Sequence, residues 1–421
     1  MNSHHDVGNR RHGDAGPQIA PAPRISLQAF CETQDIAAII QEAAGDRRLD
    51  KAHIKMHMGG AAAAVEAYGA APTPNVIVIE SNVDRAQLVQ HLDALSEFCD
   101  SGTKVVVMGR TNDILLYRDL MARGVSDYLV TPFSAIDFIR AISGLYHGAG
   151  AEPVGRVIAV VGAKGGVGAS TIAHNIGWSI ARDLDVATVI ADLDLGFGTA
   201  GLDFNQDPPQ GIAEAVFAPD RLDANLLDRL LSKCSDKLSI LAAPATLDRM
   251  YDFSETSFDL LVDLLRASTP VIILDVPHIW TGWTRRLLIG ADELVLVANP
   301  DLANLRNAKG LLDALRSARP HDHPPRLIVN GIGVLKRPEI SVADFTKAVE
   351  LEAAGLIPYD AKIFGTAANN GQMIAEVESA SKISETFSNL ARMLSGRAEV
   401  KKQRRTILDP LMAKLLRRKT A

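Results

Sequence analysis

The sequence predicts an α/β protein made of two doubly wound parallel-sheet domains, and three observations carry that prediction. Short apolar runs of strand length alternate with helix-period segments along most of the 421 residues. An aperiodic Gly/Pro-rich stretch, HGAGAEPVG at 147–155, divides the alternation in two. A glycine-rich loop lies between a buried-strand pattern and a helix pattern, the setting in which such sheets bind phosphate.

Residues 1 to about 23 are rich in His, Gly, Pro and Arg without apolar period and are expected to be disordered. From Arg24, strand candidates fall at 25–30, 53–58, 75–80, 104–109 and 126–130. Helix-period segments such as 35–44, 84–95, 113–124 and 136–146 lie between and after them. Five strands alternating with five helices describe a small parallel sheet over 24–147, with 148–155 as linker. A second series over 156–396 has strand candidates at 157–162, 187–194, 238–243, 271–276, 293–299 and 326–332.

Composition sets the outer limits. Hydrophobic residues at 47% and charged residues at 22% exclude a wholly disordered chain. There is no run of about eighteen apolar residues to span a membrane, and the first residues lack the apolar core of a secretory signal. Cys31, Cys99 and Cys234 are too scattered for a disulfide framework or a cysteine metal site. A soluble, cytoplasmic chain is the expectation.

Charge is uneven. Residues 397–421 hold nine Lys/Arg against Glu399 and Asp409, a balance of +7; the rest of a chain of net charge -6 therefore carries -13. Such a body argues against a nucleic-acid-tracking surface. In the tail, Asp409 and Pro410 suit a helix start, and Leu411, Met412, Leu415 and Leu416 share one face. That basic amphipathic helix fits an anionic membrane surface first, then a partner protein, then its own body.

The chemistry concentrates in Gly162-Ala163-Lys164-Gly165-Gly166-Val167-Gly168-Ala169-Ser170-Thr171. Glycines there let backbone N–H groups approach phosphate oxygens, and the following helix adds its dipole. Ser170 stands where a hydroxyl reaches Mg²⁺, but Ala169 occupies the place of the usual phosphate-binding lysine, and Lys164 sits early in the loop instead.

KGGVG with an early lysine resembles the deviant Walker loop of the MinD/ParA family. The resemblance implies ATP and Mg²⁺ as cofactors, bound by residues 164–171. It implies that Lys164 crosses a homodimer interface to the partner's phosphates. Asp194, in VIADLDLGFG, would position the attacking water, with Asp192 near the metal; Asp275, ending VIILDVP, would be the Walker B aspartate. Asn330, closing RLIVN, would read adenine, and Pro358 in IPYD would lie in the loop covering the base. The family's turn after the Walker B strand is replaced by His278-Ile279-Trp280. With Ala169 for lysine, a positive charge is missing where charge develops, so slow hydrolysis or none is expected.

The first domain resembles a response-regulator receiver that has lost its chemistry. Positions that should carry the acidic pair, phosphoacceptor, Thr/Ser and Lys read Cys31-Glu32, Glu80, Gly109 and Thr131-Pro132. A pseudo-receiver fused to a MinD/ParA-like P-loop domain is the arrangement of CpaE/TadZ-type pilus assembly proteins, which the loop and the run 299–315 also resemble. That implies a factor that localises a Tad/Flp type IV pilus machine at the inner membrane or cell pole. Its partners would be the secretion ATPase and inner-membrane platform proteins. A ParA-like DNA-segregating ATPase and a non-catalytic scaffold are the alternatives.

Overall fold

In a computed structural model, residues 19–396 are described, except 101, 148–153, 246, 248 and 249. The basic tail lies outside the described residues.

The first sheet comprises β1 (Ile25–Cys31), β2 (Ala52–Met58), β3 (Val76–Glu80), β4 (Lys104–Gly109) and β5 (Asp127–Val130), all parallel, in the order β2-β1-β3-β4-β5. All five residues of β3 are buried, as a central strand with both faces covered requires. Helices start where the sequence supplies caps: Thr33, Asp84, Asp113 and Ser134 each accept a hydrogen bond from a first-turn N–H.

The second sheet comprises β6 (Arg156–Gly162), β7 (Thr188–Asp192), β8 (Ser232–Lys233), β9 (Leu238–Leu241), β10 (Val271–Val276), β11 (Glu293–Ala298), β12 (Arg326–Ile332) and β13 (Ala353–Pro358). Their order is β13-β12-β11-β6-β10-β7-β9-β8, which places β6 centrally between β10 and β11. Two strands exceed the sequence expectation. The run AAGLIP of β13 offers small residues and buries only Gly355 and Ile357, so it lacks a core strand's signature. The two-residue β8 pairs antiparallel at the other edge, a small departure from an all-parallel sheet.

Part of the expected N-terminal disorder is corrected. Ala22 is buried, its N–H donates to the Arg48 carbonyl at 2.8 Å, and Ile19 packs against the first sheet's core. Apolar contact outweighs the Pro-rich composition there. The last linker residue is also fixed: a Cβ on Gly155 would lie 2.0 Å from the Thr269 carbonyl, so only glycine fits.

The two sheets meet at their amino ends. A short 3-10 turn, Arg47–Leu49, precedes β2 and carries two guanidinium groups into the second domain. Arg47 binds Asp322 at 2.7 Å and Asp292 at 3.2 Å, and Arg48 pairs with Asp46 and Asp322. Arg266 and Arg319 complete the cluster from the second domain's side. All these side chains are at least nine-tenths buried. Asp292 also accepts from the Val157 N–H at the amino end of β6, so the cluster sits opposite the glycine-rich loop. Exposed pairs, Lys51 with Asp263 and Arg286 with Asp50, flank it. No helix among the described residues is long and apolar enough to cross a membrane.

Candidate functional site

The central strand β6 delivers the loop 162–168, and helix Ala169–Leu184 continues from it. Gly168 precedes the helix at φ 85° with no side-chain cap, which leaves the first-turn N–H groups of 169–171 open to an anion. Gly165 and Gly166 have nothing within 4 Å of where a Cβ would be, so the loop forms an open cradle. A Cβ on Gly168 would meet the Asn330 amide at 2.6 Å.

Three asides of sequence become contacts with this loop. Asn330 donates its amide N–H to the Val167 carbonyl at 2.8 Å, so the residue expected to read adenine braces the loop. Asn307, within the family-like run 299–315, donates to the Ala163 carbonyl at 2.9 Å. His278, from the unusual turn after β10, reaches the Gly162 carbonyl at 2.8 Å through Nδ1. Lys164 is exposed at the mouth of the loop. Burial disfavours the Asp301 charge, but the Asn304 backbone and amide, with the charge of Lys164, hold it below the usual carboxylate range. Pro358 ends β13, in register with Ile332 of β12, beside the strand that carries Asn330.

The carboxylates gather at the carboxyl ends of β7 and β10, where Asp192 and Asp275 are cross-strand neighbours. Both are buried. Asp192 accepts from the N–H groups of Asp194 at 3.2 Å and Ala200 at 3.0 Å. Burial and the adjacent Asp275 charge raise Asp192 well above the ordinary aspartate range. Asp194 is half-buried and accepts from the Phe197 N–H at 3.0 Å, within the turn that follows. Ser170 is the second residue of the helix that follows β6 at this end of the sheet. An all-oxygen set of Ser170 and Asp275 suits a hard cation such as Mg²⁺.

Sequence reasoning missed the fourth member of this group. His174, on the same helix, is completely buried. Its Nδ1 lies 2.7 Å from Asp203, and its Nε2 lies 3.5 Å from Asp275 without making a hydrogen bond. Ligand atoms of His174, Asp192 and Asp275 all fall within 4.8 Å of one another. Burial works against an imidazolium here, but the Asp203 and Asp275 carboxylates raise its pKa to about 10. A buried histidine in this helix gives no signal of its own; only the fold reveals the two acids that converge on it.

In the first domain Glu80 is buried and already engaged. It accepts from the N–H groups of Glu32 and Thr33 at 2.7 and 2.9 Å and from the Thr33 hydroxyl at 2.8 Å. Glu32 in turn accepts from Asn82, so the acidic end of this sheet closes on itself.

No family model matches the chain. The septum site-determining protein MinD of Synechocystis is 30% identical over 253 residues, which cover 57% of this chain and 90% of that protein. The pilus assembly protein CpaE of Caulobacter crescentus CB15 matches the N-terminal region at 46% identity. That match covers 30% of this chain and 97% of that chain, with a TM-score of 0.30. MinD of Pyrococcus horikoshii OT3, solved with Mg-ADP, is 19% identical over 57% of this chain and 95% of its own. Its TM-score of 0.51 shows the shared fold.

Proposed function

The chain belongs to the MinD family of ATPases, joined to a CpaE-type N-terminal region, and from that premise we propose an ATP-gated dimeric factor that localises a Tad/Flp pilus machine. The observation that carries this reading is the uncapped, open phosphate cradle with a lysine at its mouth and none at position 169. Residues 164–171 would hold the phosphates of ATP, and Ser170, Asp192 and Asp275 would hold Mg²⁺. Bound Mg²⁺ supplies charge neutralisation between phosphate oxygens. Lys164 would serve the partner's nucleotide, Asp194 would orient water, and Asn330 and Pro358 would border the base.

Ala169 removes one cation from the site, and preorganised charge is usually the largest contribution to such catalysis. The bound state is therefore long-lived, and the protein works as a binding switch more than as a turnover enzyme. Residues 24–147 form the receiver-like domain, and 156–396 the ATPase-like domain. With Glu80 held by four donors, the first domain is a protein-docking module and no phosphoacceptor. Its partners are the pilus secretion ATPase and inner-membrane platform proteins, with the tail as a further membrane contact. The protein then acts in the cytoplasm at the inner membrane or cell pole.

Light scattering with Mg²⁺ and ATP, with ADP, and without nucleotide tests this directly. A dimer confined to the ATP sample is expected; the same mass in all three samples would favour a constitutive scaffold. Restoring the lysine by Ala169→Lys should raise ATP hydrolysis at least tenfold. A rate still at background would show that the missing lysine is not what limits the site.

A further inference from the structure

We propose that His174 is a positioning residue that ties the carboxylates at the nucleotide end of the sheet to the turn 199–203, so that nucleotide seating resets an apolar surface. The inference rests on the ATP-gated dimer proposed above and names the residue that transmits the gate.

Two routes converge on that turn. Asp275 faces His174 Nε2, and His174 Nδ1 holds Asp203, the last residue of the short helix Ala200–Asp203. Separately, Asp192 receives the Ala200 N–H that begins the same helix. Thr199 adds its hydroxyl to Asp203 at 3.4 Å. The Asp192 and Asp275 carboxylates are cross-strand neighbours and both are buried. His174 stands between these acids and the turn, with Nε2 3.5 Å from Asp275 and Nδ1 2.7 Å from Asp203. His174 lies one turn into the helix Ala169–Leu184 that the loop opens, so a shift of the loop on seating nucleotide carries the imidazole, and Asp203 with it.

The turn carries what a second copy would meet. Phe197 is 77% exposed and Leu202, next to Asp203, is 74% exposed. Both lie at the carboxyl end of the strands, as do Lys164 and half-exposed Trp280. With one end of the relay at the cation-binding acids and the other under Leu202, occupancy of the cradle sets the position of that apolar pair.

The test uses the full chain and three variants. Asp203→Asn, at a partly exposed position, removes the charge with little risk to folding. His174→Asn retains a donor near Nδ1, and His174→Gln one near Nε2. ATP affinity, read from a fluorescent ATP analogue, should stay within threefold for Asp203→Asn. The ATP-dependent dimer should weaken at least tenfold by light scattering, because each variant keeps only part of the relay. Dimerisation equal to the parent in Asp203→Asn and His174→Asn would overturn the relay. So would a parallel loss of ATP affinity in all three, which would mark the cluster as a fold support. A parent that shows no ATP-dependent dimer would instead overturn the functional reading, and the relay with it.

Discussion

Replacing Lys164 by alanine will abolish the ATP-dependent dimer while ATP binding to the monomer stays within a few-fold. Lys164 is exposed at the mouth of the loop, whereas the phosphate cradle is built from backbone N–H groups of residues further along. Cutting the side chain therefore leaves the cradle intact. A hydrogen bond to a charged group contributes roughly 1.5–3 kcal/mol. Two symmetric lysines across a dimer would give about 3–6 kcal/mol, or roughly two to four decades in the dimer constant. Light scattering against protein concentration, with ATP, reads this. A variant that dimerises at the parent's concentrations would refute the trans-acting lysine.

Asp322→Ala will uncouple the two domains. The aspartate faces Arg47, Arg48 and Arg319, and its loss leaves three buried guanidinium groups short of an anion. Breaking a buried pair from one side costs about 3–5 kcal/mol, because the remaining charge stays desolvated. Here the domains can separate and let water in, so the interface fails before either sheet does. Calorimetry should show the parent's single unfolding transition split in two. Lys51→Ala, which removes a partly exposed pair, should cost at most about 1 kcal/mol and keep one transition. A single transition in Asp322→Ala would show that the cluster does not hold the domains.

The same cluster sets an acid limit. Burial opposes the charge of Asp292, but Arg266 and Arg47 hold its pKa below the ordinary value. Asp322 is likewise lowered against burial, chiefly by Arg47. A carboxyl lowered on folding contributes stability that is fully present above its unfolded value of about 3.9 and is lost as pH falls through the folded value. The two-transition signature should therefore appear in the parent below about pH 4. At neutral pH the parent should show one transition.

The parallel architecture was legible because strands buried on both faces leave continuous apolar runs, as VIVIE and VIILDV do. The phosphate loop was legible because its chemistry is contiguous. What escaped the sequence depends on residues far apart in the chain or on patterns too weak to register. Strand β13 is built of small residues with an alternating but faint burial. Arg47 and Asp322 are separated by 275 positions, so nothing local marks either as a partner. His174 owes its character to Asp203 and Asp275, which arrive from other elements. Asn330 closes an apolar strand in the sequence, but a strand-end asparagine does not disclose its bond to Val167.

The sheets stand back to back, amino end to amino end, around the buried arginine cluster. The seven residues of β6 alone span about 20 Å between that cluster and the loop. A dimer closed across the loops would therefore carry its two receiver-like domains at opposite poles, each with the Glu80 end pointing away from the joint. Closing the dimer adds no contact to those heads, but it doubles them at a fixed span. A docking site that is weak in one copy becomes bivalent, and the gain comes from effective concentration instead of a better interface. The nucleotide would then control adhesion to an array of partners by counting heads, without altering the shape of either one.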